Sequence, residues 1–281
     1  MRIPKFWLPA AGAAAGGMLA SLFYALRVEP AWFDVVELTL TPRNIPPAFD
    51  GYRIAHFSDI HMGDGMTRER LMEVVEIVNA AKPDLIAFTG DFVTYRAPFN
   101  LDDLIVPLRS RHAPDGKVAV MGNHDYRAYR SLIRSVIADS GFIHLDNRVH
   151  TIHRGESCLH VAGVESLIRR RARLDLVLKQ LPRDGAAILL AHEPDFASVA
   201  AATRRFVLQL SGHTHGGQIR VPVLTRFALP PFGQRYVMGL YRAGRMLLYV
   251  NRGLGMVGMP MRFNCRPEIT LITLAATARE G

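Results

Sequence analysis

Cysteine is scarce in this chain. Only Cys158 and Cys265 occur among 281 residues. That excludes a small domain stapled by several disulfides and a zinc centre built on thiolates, and leaves at most one bridge. Lysine is nearly as scarce, with 4 among the 34 basic residues and 30 arginines. Acidic residues number 25, so the formal net charge is +9. Such a surface suits anionic lipid, a phosphorylated substrate or nucleic acid, and arginine meets phosphate with a planar fork. A GC-rich genome would produce the same arginine bias. Charged residues make up 21% against 49% hydrophobic, which excludes a mainly disordered chain, and the 23 glycines lack the period of collagen. No internal repeat is visible. The length suits one large α/β domain or two small ones.

One long uncharged run stands out, Phe6 to Leu26, 21 residues that follow Arg2 and Lys5 and end at Arg27. A membrane-spanning helix needs about 20 residues. Apolar chain continues beyond the small residues Ala13 to Gly17, which favours an uncleaved anchor over a signal peptide. Pro9, Gly12, Gly16 and Gly17 weaken its hydrophobicity, so a helix lying in the membrane interface is the third reading. Charge before the run favours an inner-membrane protein with its main domain outside the cytoplasm, whereas Arg27, Arg43 and Arg53 after it oppose that side. The expected organisation is an anchor over 1–27, a linker with an edge strand (Val35 to Leu40) over 28–50, and a catalytic domain over 51–281.

From Arg53 onward strands and helices alternate. RIAHFSD, DLIAFTGD, KVAVMGNHD, CLHVAGVE, AAILLAHEPD, RFVLQLSGHTH, RMLLYVNRG and EITLITLA read as strands, and Arg68 to Ala81 and Tyr129 to Ser140 as helices. This is an α/β layered pattern, in which ligands bind at the carboxyl ends of strands. Five such ends carry chemistry: Asp59-Ile60-His61, Gly90-Asp91, Gly122-Asn123-His124-Asp125, His192, and Gly212-His213-Thr214-His215-Gly216-Gly217. Carboxylates, one amide and several imidazoles together suit manganese, iron or zinc better than calcium or magnesium cages.

FSDIH, TGDF, GNHD, the His192 strand and SGHTHGGQ resemble the calcineurin-like metallophosphoesterases, from about Arg53 to the C-terminus. LSGHTHGGQI and LYVNRGLG are similar to a membrane-associated subgroup that holds the YkuE/YaeI-type phosphodiesterases and the UDP-2,3-diacylglucosamine pyrophosphatases of lipid A synthesis. The resemblance implies a four-layer α/β/β/α sandwich around a mixed pair of sheets. It implies two divalent metals, manganese first, iron or zinc next. Asp59, His61 and His215 would hold one, Asn123, His192 and His213 the other, and Asp91 would bridge them. His124 would act on the leaving group, and Asp125 would orient His124 by a hydrogen bond. Thr94 stands where many relatives carry an acidic residue. Two such metals generate a bridging hydroxide and clamp phosphate oxygens for in-line attack. The expected enzyme is therefore a metal-dependent phosphodiesterase or pyrophosphatase.

Other features have competing readings. His56 reads as a buried, hydrogen-bonded core residue. Gly253 to Gly258 matches G-x-G-x-x-G, but Pro260 and Pro267 leave no room for the helix that a dinucleotide site needs. Arg169, Arg170, Arg171 and Arg173 form a basic cluster that is either a solvated face or a contact for phosphate or anionic lipid. Val221 to Tyr241 is either a core hairpin or a lip beside the site, with Arg226 and Arg235 as substrate contacts. Anchor and lip together point to a phosphorylated, lipid-like substrate. Nucleic acid is not expected as a partner, because little chain is left for an added binding domain. A non-catalytic metal-binding scaffold is the remaining alternative.

Overall fold

The computed structural model describes residues 7–95, 98–110, 112–128 and 130–276. Arg2, Lys5 and Phe6 of the N-terminal run, Tyr129 at the expected helix start, and the last five residues of the expected catalytic domain lie outside these. In chain order the strands are β1 (Asp34–Leu40), β2 (Tyr52–Phe57), β3 (Leu85–Phe88), β4 (Lys117–Ala119), β5 (Ile143–His144), β6 (Arg148–Arg154), β7 (Ser157–Gly163), β8 (Ala186–Leu190), β9 (Leu208–Ser211), β10 (Gly239–Ala243), β11 (Met246–Val250) and β12 (Glu268–Leu274). They form two six-stranded mixed sheets, ordered β1-β12-β2-β3-β4-β5 and β10-β11-β9-β8-β7-β6. In the first, β2 through β5 run parallel; in the second, β11, β9, β8 and β7 do.

Alternation along each strand sets the layers. On β2 and β3, Tyr52, Ile54, Leu85 and Ala87 face the second sheet, where Leu159, Val161, Ile188, Leu208 and Leu210 meet them in a buried core. Their neighbours Ala55, Phe57, Ile86 and Phe88 face the other way, onto α2 (Arg68–Ala80), α3 (Leu101–Arg109) and α4 (Arg130–Asp139). Ala187 and Leu189 of β8 point outward onto α5 (Leu174–Gln180) and α6 (Ala197–Ala202). A strand apolar on both faces must be covered on both, and the result is helices, sheet, sheet, helices. The α2 helix shows how the sequence achieves this. Leu71, Val74, Val75 and Val78 recur at helical spacing and are buried, each contributing about 1.5–3 kcal/mol. Thr67 caps its start, accepting a hydrogen bond from the Arg70 amide. β1 adds to the first sheet beside β12, in parallel and in full register, so the segment after the N-terminal run is built into the domain.

Among the described residues the N-terminal run does not show the spanning helix expected of it. Its helix covers Trp7–Phe23, 17 residues, and passes into a short π-helical turn at Tyr24–Val28. At 1.5 Å per residue that is about 25 Å, against about 30 Å of bilayer hydrocarbon. Among the described residues no helix is long and apolar enough to cross a membrane.

Candidate metal centre

Each expected metal-binding and catalytic residue lies in a loop that leaves the carboxyl end of a parallel strand. Asp59 and His61 follow β2, Asp91 follows β3, Asn123 to Asp125 follow β4, His192 follows β8, and His213 and His215 follow β9. Because parallel strands point the same way, their ends gather at one edge of both sheets. Cross-sheet bonds fasten them there. The Nδ1 of His192 bonds the Thr89 carbonyl at 2.7 Å, and the His213 amide donates to the Asp59 carboxylate at 2.9 Å. Asp59, His61, Asp91, His213 and His215 all adopt left-handed backbone angles, φ between 48° and 74°. Each such residue costs about 1–3 kcal/mol unless its surroundings impose it, and five together mark a site where side-chain aim outweighs local comfort.

The donor atoms converge. The Nε2 atoms of His61 and His215 stand 3.1 Å apart, and Asp59 Oδ1 lies 3.8 Å and 3.4 Å from them. Asp91 Oδ2 lies 3.5 Å from His61 Nε2 and 3.2 Å from His192 Nε2, which places it between the two clusters. Asn123 Oδ1 is 3.2 Å from the same His192 nitrogen, and the His213 ring lies 4.9 Å from that of His192, centre to centre. Two sets, Asp59–His61–His215 and Asp59–Asp91–His192, have ligand atoms close enough to share an ion. Asp59 thus stands within reach of both groups, not of the first alone.

This donor set fits a divalent cation. Three imidazole nitrogens and two carboxylates, all buried, would repel or go unpaired without a positive charge among them. In His61, His192 and His213 the ring nitrogen turned away is held, as metal-binding imidazoles require, whereas His215 Nδ1 has no partner. His61 Nδ1 bonds Thr94 Oγ1 at 2.9 Å, and His213 Nε2 bonds the Pro231 carbonyl at 2.9 Å, leaving Nδ1 of His213 for a metal. Thr94, at the position where relatives are acidic, therefore serves by hydrogen bonding. Burial pushes the Asp59 carboxyl up, but His215 and His61 outweigh it and hold the group well below the ordinary range. Asp91 likewise stays ionised, burial opposed by His192 and His124. Burial lowers His61, His124 and His213.

Asp125 does not do what its neighbourhood suggested. Its carboxylate accepts from the amides of Asp91, Phe92, Val93 and Gly122 at 2.8–3.4 Å, and makes no bond to His124. Burial raises its pKa well above the usual range. It ties the β3 and β4 loops together and so holds Asp91. His124 is aimed instead by its own amide, which donates to Asp91 Oδ1 at 2.8 Å, and by its ring, edge-on to His61 at 4.9 Å. Its Nδ1 has no partner.

The profile of the calcineurin-like phosphoesterase family matches residues 52–217, more than half of the chain. The chain belongs to that family. It is a metal-dependent hydrolase of phosphate esters. The phosphoesterase is 38% identical over 272 residues to the metallophosphoesterase YkuE of Bacillus subtilis, covering 95% of each chain. It is 30% identical over 260 residues to the phosphodiesterase YaeI of Escherichia coli, covering 89% of this chain and 92% of that one. Among solved structures, an NAD nucleotidase of Haemophilus influenzae superposes with a TM-score of 0.48 at 12% identity, over 73% of this chain and 45% of that one.

The centre of this phosphoesterase floors a cleft of about 580 Å³. Its lining combines Arg127 and Arg169 with apolar Ile168, Ile219, Ala228, Pro230, Pro231, Val257 and Met259. Arg169 donates Nε and one terminal nitrogen to the Asn123 carbonyl, and Arg127 stacks on Tyr95 at 4.2 Å. Neither is ion-paired among the described residues. The buried Glu193, next to His192, holds the arginine loop by accepting from Ser166 and from the amides of Leu167 and Ile168. Of the basic cluster, then, Arg169 faces the site, while Arg173 pairs with Asp175 on the surface. Arg127 was missed, although it sits three residues past His124 in the same loop.

The two expected lip contacts lie elsewhere. Arg226 lines a separate, neighbouring cavity, and Arg235 bonds Ser198 on α6 through its guanidinium. The lip itself is no core hairpin. It is a loop with a single short turn at Thr225–Phe227, and only its Ala228–Pro231 part reaches the cleft. His56 is buried and bonds Thr89. The Gly253 to Gly258 motif contains no helix. It presses on the Asp59 loop, and a side chain at Gly255 would meet the Ile60 carbonyl at 2.1 Å.

Proposed function

We propose that this phosphoesterase hydrolyses a phosphodiester or diphosphate bond in a membrane amphiphile, of which UDP-2,3-diacylglucosamine is the most specific candidate. The observation that carries the reading is the mixed lining of the cleft: Arg127 and Arg169, without carboxylate partners among the described residues, together with apolar residues beside the ligand cluster. Divalent cations, manganese by preference, held by Asp59, His61 and His215 and by Asp91, Asn123, His192 and His213, would supply Lewis acidity and a hydroxide at neutral pH. The two arginines would hold phosphate oxygens flanking the scissile bond, as planar charged donors do. His124 lines the cleft, and its buried Nδ1 has no hydrogen-bond partner. A neutral His124 still carries a ring N–H, enough to hydrogen-bond the departing oxygen and pass it a proton as charge builds. The apolar lining would take acyl chain, and the protein would work at a bacterial inner membrane.

A second reading, a phosphodiesterase of other substrate on the periplasmic or cell-wall side, is favoured by Arg2 and Lys5 before the apolar run. Turnover of UDP-2,3-diacylglucosamine and of bis-p-nitrophenyl phosphate, side by side with manganese and with Asp91→Ala as control, separates the two. UMP release from the lipid is expected. Cleavage of the diester alone would select the second reading. Silence on both with metal bound would make the protein a scaffold.

A further inference from the structure

The lip, the neighbouring cavity and the N-terminal helix form one surface, and the metal cleft opens beside it. From Ala15 to Phe23 every residue of the helix is exposed, including Met18, Leu19, Leu22 and Phe23. An apolar helix without a covered face is unfavourable in water and needs an apolar phase to cover it. Its base is not free to swing. The Arg262 amide donates to the Ala25 carbonyl, and the buried Glu29 carboxylate accepts from the amides of Asn264 and Cys265.

Those residues adjoin the cleft. Met259, which lines it, is 62% exposed. Asn264 lines the second cavity, of about 840 Å³, opposite Arg220 and Arg226. Val223, which also lines that cavity, and its neighbours Leu224 and Phe227 project at 68%, 62% and 74% exposure. At the root of the helix Trp32 is half exposed with Arg266 stacked on it at 3.5 Å. Tryptophan beside arginine is the pairing that headgroup regions favour.

Charge selects the occupant. Between Asp195 and Glu268 the chain has ten arginines and no lysine, aspartate or glutamate. Arg220, Arg226 and Arg266 in this surface have no carboxylate partner among the described residues. A protein partner would need a large acidic and apolar patch together, whereas an anionic bilayer supplies both chemistries over any area.

We infer that the helix base, Met259 and the Val223–Phe227 lip form a docking surface for an anionic lipid bilayer, which sets the mouth of the metal cleft at headgroup level. The surface does not depend on which phosphate ester is cleaved. Its test reads binding, not turnover, so its failure and that of the substrate reading are distinguishable.

The experiment is vesicle flotation of the full chain on phosphatidylcholine alone and with about 30% phosphatidylglycerol, at low and high salt. Partition onto the anionic vesicles should be at least about tenfold stronger, and high salt should remove that gain. Leu224→Asp with Phe227→Asp should weaken partition by about tenfold or more at an unchanged melting midpoint, since each buried apolar side chain carries about a decade. Arg226→Gln with Phe227→Ser checks the same surface without added acid and should show a smaller loss of the same sign. Equal binding to both vesicles, or lip variants that partition like the parent, would overturn the inference. So would a lip-dependent dimer in lipid-free light scattering, which would assign the surface to a second copy.

Discussion

His124 and Asp125 are adjacent in the chain and yet serve different loops. The aspartate turns inward, where four amides of two loops need an acceptor, and the histidine lines the cleft. A role at the leaving group makes a specific demand on His124. His124→Ala should retain its metals by elemental analysis, because none of the convergent ligand atoms belongs to it. Its kcat towards an alkyl diester should drop by about 100-fold or more, with a smaller drop for a p-nitrophenyl ester, whose leaving group needs no proton. Loss of metal in that variant would make His124 a ligand. The motif letters revealed that both residues matter. They did not reveal which loop Asp125 serves, since a carboxylate finds its donors through the backbone path of β3 and β4, not through its sequence neighbour.

At the scale of elements, the site is a set of loops crossing closely at the strand ends. Gly122 shows how close. A side chain there would come within 2.2 Å of Asp91 Oδ1 and 2.6 Å of the Asp91 amide. Gly122→Ala must therefore displace the residue between the two ligand clusters. The expected outcome is a roughly 10- to 100-fold weaker metal affinity by calorimetry, with about 1–3 kcal/mol lost in denaturant unfolding. Native affinity in that variant would show that the loop can yield without moving Asp91. Most strands were legible from the chain, because apolar runs buried on both faces have few other uses. β6 was not, because its two apolar residues, Val149 and Ile152, fall on opposite faces and give no alternation. Its two arginines and two histidines left little of a strand signal. The short helices α5 and α6 carry too few turns to show a period.

For the whole molecule, the ligand cluster joins the two sheets. His192 and His213 come from the second sheet and Asp59 and Asp91 from the first, so the charge they enclose lies at the seam. Chelation should loosen that seam. At a thousandfold excess over Kd, a bound ion adds about 4 kcal/mol to stability. Removing it with EDTA should lower the melting midpoint by roughly 8–15 °C in a domain of this size, and manganese should restore it. A midpoint unmoved by EDTA, in protein shown to have lost its metal, would mean that the sheets hold the site without help from the ion.

The sequence by itself determined the layered α/β class, the strand ends that carry the ligands, and the metal chemistry. Those follow from local facts: two-residue alternation, glycine beside carboxylate and imidazole, and donor type. Tertiary structure decided that Asp125 serves the Asp91 loop, that Thr94 holds His61, and that Arg127 and Arg169 face the cleft while Arg226 and Arg235 do not. It also showed an exposed N-terminal helix rooted beside the mouth of the site. These depend on which loops meet at the common edge of two sheets. That meeting is set by packing among residues far apart in the chain, and no short window of sequence contains it.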